Sequence, residues 1–179
     1  MSKRNLIFIL LMAPLFPFCS SEKQALKVVD EVNLEKYTGM WYEIARLPNR
    51  FEKGLKCVTA TYQLREDGKI TVINKGHKIE NPQQAEKVEG WAKVPNPEEP
   101  GKLKVTFFWP FFGKYWIIDL DVDYHYALVG SPSRKYLWVL AREKALKEAT
   151  YKKLLKTAEE KGFDTAKLIR TKQDCEKME

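Results

Sequence analysis

The groups in this chain best equipped for nucleophilic, redox or metal chemistry are three cysteines, Cys19, Cys57 and Cys175, and two histidines, His77 and His125. A catalytic thiolate needs a base within hydrogen-bond reach, and a zinc site needs several Cys, His or carboxylate ligands converging on one point. Neither histidine belongs to a Ser, Cys or metal-ligand constellation in the sequence. Cys57 shares strand parity with Thr59 and Thr61, on the polar side of an alternating run, which directs it away from an apolar interior. These residue types point to a binding protein with no cofactor and no metal, and away from an enzyme.

The chain of 179 residues fits one domain with a sizeable core, and 44% hydrophobic and 12% aromatic residues make it globular. Its formal net charge of +7 comes from basic residues interleaved with glutamates, as between Glu143 and Lys161. Nucleic-acid binding would require those cations on one face or beside a recognition motif, so that class is set aside; a pull toward anionic lipid headgroups is compatible with the charge.

Something must position these residues, and the first element is an address. Lys3 and Arg4 precede an apolar run from Leu6 to Phe18, followed by Ser20 and Ser21, which is the pattern of a signal peptide over residues 1–18. The run, roughly 13 residues, is short of the about 20 that cross a bilayer as a helix. Cys19 resembles the lipid-accepting cysteine of a bacterial lipoprotein precursor, although Phe18 stands where a small residue is usual. Cleavage after Ser20 or Ser21, with Cys19 discarded, is the alternative. Residues 19–32 then form a linker and 33–179 the folded domain.

From about 39 to 142 the chain reads as short strands between turn residues. Val58, Ala60, Tyr62 and Leu64 share one face with strict period two, and Glu66-Asp67-Gly68-Lys69 closes a hairpin. Further runs cover Trp41 to Leu47, Ile70 to Lys78, Val88 to Val94, Leu103 to Trp109, Tyr115 to Leu120, Tyr124 to Val129 and Tyr136 to Arg142. Eight antiparallel strands joined by short turns are expected to close as an up-and-down β-barrel, although on pattern alone a sandwich also fits. A helix is expected over about 145–161, because Tyr151, Leu154, Leu155 and Ala158 recur at helical spacing before Lys161-Gly162. Its apolar stripe must pack on the outside of the barrel.

Gly39-Met40-Trp41-Tyr42, shortly after Asn33-Leu34-Glu35-Lys36-Tyr37, resembles the first signature of the lipocalin family. Leu120-Asp121-Val122-Asp123-Tyr124 resembles the second without its usual Thr, and Trp138-Val139-Leu140-Ala141-Arg142 the third. Val58-Thr59-Ala60-Thr61-Tyr62, Val72-Ile73-Asn74-Lys75-Gly76 and Phe107-Phe108-Trp109-Pro110-Phe111-Phe112-Gly113 are similar to the bacterial outer-membrane lipocalins and to apolipoprotein D. The likeness covers nearly the whole exported chain.

The resemblance implies an all-β, eight-stranded calyx with Gly39, Trp41 and Arg142 as structural signature residues, the arginine lying across the Trp41 ring at the closed end. It implies a Cys57 to Cys175 disulfide, two free thiols being the alternative. It also implies a fatty acid or lysophospholipid as partner, held at the cell envelope by an outer-membrane lipid anchor on Cys19, with a soluble periplasmic or secreted form as alternative. Candidate ligand contacts are Trp138, Phe107, Trp109, Phe112 and Tyr126, with Asn74, Lys75 and Arg46 offered to a headgroup because a buried anion requires cations or donors. A homodimer is left open. A lipid-acting enzyme on this fold, or an interaction protein working through its aromatic loop, are the competing functions.

Overall fold

The computed structural model describes residues 25–175; the expected signal peptide, Cys19 and the start of the linker lie outside the described residues. A short helix α1 (Leu34–Tyr37), capped by the Asn33 side chain, leads into β1 (Gly39–Arg46), β2 (Leu55–Leu64), β3 (Ile70–Lys78) and β4 (Ala85–Lys93). Strands β5 (Lys102–Phe108), β6 (Phe111–Leu120), β7 (Tyr126–Gly130) and β8 (Leu137–Ala141) come next, then helix α2 (Glu148–Glu160), a 3-10 turn (Thr165–Lys167) and a two-residue strand β9 (Ile169–Arg170).

Each strand pairs antiparallel with the next from β2 to β8, and β1 closes the ring by bonding β8 on one edge and β2 on the other. This closure makes the fold a barrel and excludes the sandwich, and it leaves no long unpaired edge. A bulge between Glu43 and Ala45 divides β1: its first half, Gly39 to Tyr42, pairs with β2, and Ala45 and Arg46 pair instead with β9. The expected eight-stranded barrel with an external helix is therefore found, with α1 and β9 as additions. Strand β6 begins at Phe111, whereas the sequence pattern suggests a loop to Gly113, because Phe108 pairs with Phe111 across the two-residue turn Trp109-Pro110.

Alternation sorts the core into two clusters. Trp41, Tyr62, Val72, Ile117, Val129 and Leu140 point inward, while Ile44, Ala45, Ile118, Leu128, Val139 and Ala141 point outward beneath Tyr151, Leu154 and Ala158 of α2. The helix ends as its glycine requires: Gly162 takes φ +82, and Phe163 N–H and Gly162 N–H donate to the Ala158 and Glu159 carbonyls. The Phe163 ring then packs on Gly130, where a β-carbon would lie 2.6 Å from Cζ. Among the described residues, no helix is long and apolar enough to cross a membrane.

One end of the barrel is bolted shut. Arg142 lies 3.9 Å from the centroid of the Trp41 ring and donates to the carbonyls of Met40 (2.9 Å), Lys36 (2.7 Å) and Tyr124 (3.3 Å), while Trp41 Nε1 donates to the Tyr37 carbonyl (2.9 Å). Gly39 sits here at φ +89, and a side chain would press on the Arg142 guanidinium.

Candidate ligand-binding site

Inside the barrel the inward faces of β2 to β6 and β8 enclose a cavity of about 90 Å³, walled chiefly by aliphatic and aromatic side chains. Toward the closed end its floor is polar: Tyr115 Oη bonds Tyr37 Oη at 2.7 Å and Tyr62 Oη at 2.8 Å. Burial pushes all three phenols well above their ordinary range, so they stay neutral. Phe107, Trp138 and Leu140 form part of the wall, and the buried Asn74 Oδ1 there has no hydrogen-bond partner.

A charged network occupies the wall beside β1. Glu43, 2% exposed, accepts from Arg46 Nη1 at 2.6 Å and from the Thr171 hydroxyl. Arg46 also donates to Thr171 Oγ1 (2.9 Å) and to the Glu52 carbonyl (2.7 Å), and its Nε lies 3.7 Å from the Glu52 carboxylate. Glu52, on the β1–β2 loop, folds back into the barrel, where Trp138 Nε1 donates to it at 3.1 Å and Asn49 donates to the same oxygen. The network fastens this loop across the opening of the calyx.

Burial, then the charge of Glu52, pushes the Glu43 carboxyl up to about 8 against the pull of Arg46. At neutral pH the pair of acids thus retains one proton. The folded protein holds that proton where the unfolded chain has released it. Its stabilising effect is complete below the ordinary carboxyl value of 4.5 and is lost as pH rises toward about 8. Stability should therefore fall across that window, and Glu43→Gln should flatten the fall. Urea midpoints measured at several pH values check this; an unchanged slope in the variant would assign the fall to other groups.

The structure distributes the sequence-based candidates unevenly. Trp138, Phe107 and Asn74 line the cavity. Arg46 is not available to a headgroup, because Glu43 and Glu52 already neutralise it. Lys75 is exposed and lies outside the cavity lining. Tyr126 packs outside the barrel near α2, its hydroxyl 3.3 Å from Lys153 Nζ. Trp109 is 77% exposed on the β5–β6 turn, and Phe112 packs edge-on against Trp91 at 5.2 Å instead of entering the calyx. The period-two reading placed Phe107 correctly but could not foresee the bulge between Val105 and Phe108, which changes the facing of the residues beyond it.

Cys57 and Cys175 form a disulfide, with Cα atoms 6.0 Å apart, so the expectation of a bridge holds and Cys57 carries no free thiol. His77 Nδ1 bonds the Pro82 carbonyl (2.9 Å) and His125 Nδ1 bonds Asp121 (2.9 Å). Asp121, Asp123 and His125 bring ligand-type atoms within 4.8 Å of one another at a turn, although the His125 backbone N–H and ring Nδ1 are already bonded to the Asp121 carboxylate. Sequence reasoning missed Glu43, Glu52 and the tyrosine floor. Glu43 shares parity with Trp41, so strict alternation already directed its charge inward.

A family model described as a lipocalin-like domain matches residues 32–173. The chain is 40% identical over 168 residues to the outer membrane lipoprotein Blc of Vibrio cholerae, covering 93% of this chain and 98% of that protein. It is 36% identical over 155 residues to apolipoprotein D of Macaca fascicularis, covering 82% and 80%. The solved structure of insecticyanin from the tobacco hornworm Manduca sexta superimposes with a TM-score of 0.66 at 25% identity over 85% of each chain. With the closed barrel, the external helix and the Trp41–Arg142 bolt already in place, these matches settle the family: this chain is a lipocalin.

Proposed function

We infer that the calyx holds the acyl chain of a fatty acid or lysophospholipid non-covalently, and that the protein stores, scavenges or carries that lipid at the cell envelope. The observation that carries this reading is a small, chiefly apolar cavity whose few polar groups are a tyrosine floor, the Glu43, Glu52 and Asn74 side chains, and Thr59. A cavity of about 90 Å³ is small for a fused ring system, whereas a flexible unbranched chain can enter it in part and leave its remainder at the opening. Each methylene withdrawn from water contributes about 0.8 kcal/mol, so a chain needs no buried headgroup partner to bind. This accords with an Arg46 already neutralised and a Lys75 outside the lining, since the headgroup then stays at the opening.

Binding rather than catalysis is supported by the engagement of the reactive side chains: Cys57 is oxidised to Cys175, and both histidines serve local hydrogen bonds. The names of the relatives, an outer membrane lipoprotein and an apolipoprotein, support an outer-membrane location with an acyl anchor on Cys19. Mass spectrometry of organic extracts tests the reading. Native protein should yield stoichiometric fatty acid or lysophospholipid, and Ala60→Trp, which fills the cavity from β2, should yield little. Empty extracts, together with no binding of acyl lipids in titration, would reject it.

A further inference from the structure

The roomier concavity of the molecule is not the calyx. A groove of about 630 Å³ runs outside the barrel, between the β1–β2 loop from Pro48 to Lys56, Ile79 at the end of β3, and the segment Ile169 to Lys172. Arg46, Arg50, Lys53, Lys56, Arg170 and Lys172 line it, and among the described residues no carboxylate does. Three of these cations are answered from outside the lining: Arg46 by Glu43 and Glu52, Lys56 by Asp174 at 2.9 Å, Arg170 by Glu148 at 2.9 Å. Arg50, Lys53 and Lys172 have no carboxylate within 4.0 Å among the described residues, and Arg50 lies 4.9 Å from the centroid of the Phe51 ring. The groove is thus a concentration of unanswered positive charge, ready to attract an anion.

Its surroundings are apolar and exposed. Leu55 lies in the groove with Ile79, which is 56% exposed, and Phe51 beside it is 58% exposed. The β5–β6 turn opens at the same end of the barrel and bares Phe108, Trp109 and Phe111, the last two each 77% exposed. A soluble anion would satisfy the cations and leave these rings in water. A neutral apolar surface would do the reverse. An anionic phospholipid surface satisfies both, because cations meet phosphate at the headgroup level while aromatic rings settle into the interfacial layer.

We propose that the open end of the barrel docks on an anionic phospholipid bilayer, with a lipid phosphate seated in the groove between the β1–β2 loop and β9 and the β5–β6 turn resting in the interface. The loop that forms one wall of this groove is the one that Glu52 fastens over the calyx, so docking places the opening of the calyx against the lipid.

The test uses protein carrying Cys19→Ser, so that no acyl anchor contributes, sedimented with vesicles of phosphatidylcholine alone or containing phosphatidylglycerol. Partitioning should be more than about 10-fold stronger with phosphatidylglycerol and weaken in high salt. Combined Arg50→Glu, Lys53→Glu and Lys172→Glu should reduce it about 100-fold, and Trp109→Ser with Phe111→Ser about 10-fold with the preference for phosphatidylglycerol retained. All five side chains lie at the surface, and an unchanged urea midpoint verifies folding; Lys53→Glu and Lys172→Glu singly, each with a smaller loss, replace the combined variant should it fail to fold. Equal partitioning to both vesicles, or charge reversals without effect, would overturn the proposal. So would loss of binding in millimolar inorganic phosphate at constant ionic strength, which would make the groove a site for the free anion.

Discussion

Replacement of Cys57 and Cys175 by serine is expected to destabilise the fold by about 5 kcal/mol, since the bridge closes a loop of 118 residues and the chain-entropy relation rises with loop length. The bond does more than shorten the unfolded chain. It holds the segment after β9 across the ends of β1 and β2, where Cys57 N–H donates to the Lys172 carbonyl at 2.8 Å and Gln173 Nε2 donates to the carbonyls of Glu43 (2.8 Å) and Val58 (2.9 Å). That segment also delivers Thr171 to Glu43. Urea unfolding of the double-serine variant against the oxidised protein measures the effect. A loss below about 1 kcal/mol would mean that the hydrogen bonds alone retain the tail.

Arg46→Met is the second large effect, an expected loss of about 3–5 kcal/mol, because it leaves the negative charge of the Glu43–Glu52 pair inside the barrel without its cation. Arg46 holds Glu43 down against burial, so its removal drives Glu43 further toward the protonated form and leaves Glu52 facing Trp138 and Asn49 alone. Combining Arg46→Met with Glu52→Gln should recover much of the loss, since the charge that faces the protonated Glu43 and has lost its cation is then gone. Equal stability of the single and combined variants in urea would show that the packing of the arginine, not its charge, matters here.

Much of the architecture was legible because period-two alternation is dictated by the pleat. Val58, Ala60 and Tyr62 had to face one way, and turn residues marked most of the corners. Trp41, Arg142 and the Cys57–Cys175 bridge were accessible through the family resemblance and lie as it implies. What escaped depends on departures from the pleat. The bulge after Glu43 inserts Ile44, so Ile44 and Ala45 both enter the cluster under α2, and Arg46 turns back to Glu43 instead of continuing the alternation. Strand β9 is too short to leave a pattern, and the basic groove unites residues more than 100 positions apart, a juxtaposition no local reading contains. Tyr126 was misplaced because its strand is apolar on both faces, one toward the cavity and one toward the helix, which removes the contrast on which alternation depends.

The Arg142 bolt has a kinetic consequence. With three carbonyls and an indole face tied to one guanidinium at the closed end, the proposed acyl guest would enter and leave at the opposite end, past the loop that carries Glu52. A cavity of about 90 Å³ has no room for such a guest and its successor together. Exchange is therefore strictly one at a time through the same door: the occupant must depart before the next arrives, and the lifetime of the complex is a property of the occupant and the latch, indifferent to how much competitor waits outside.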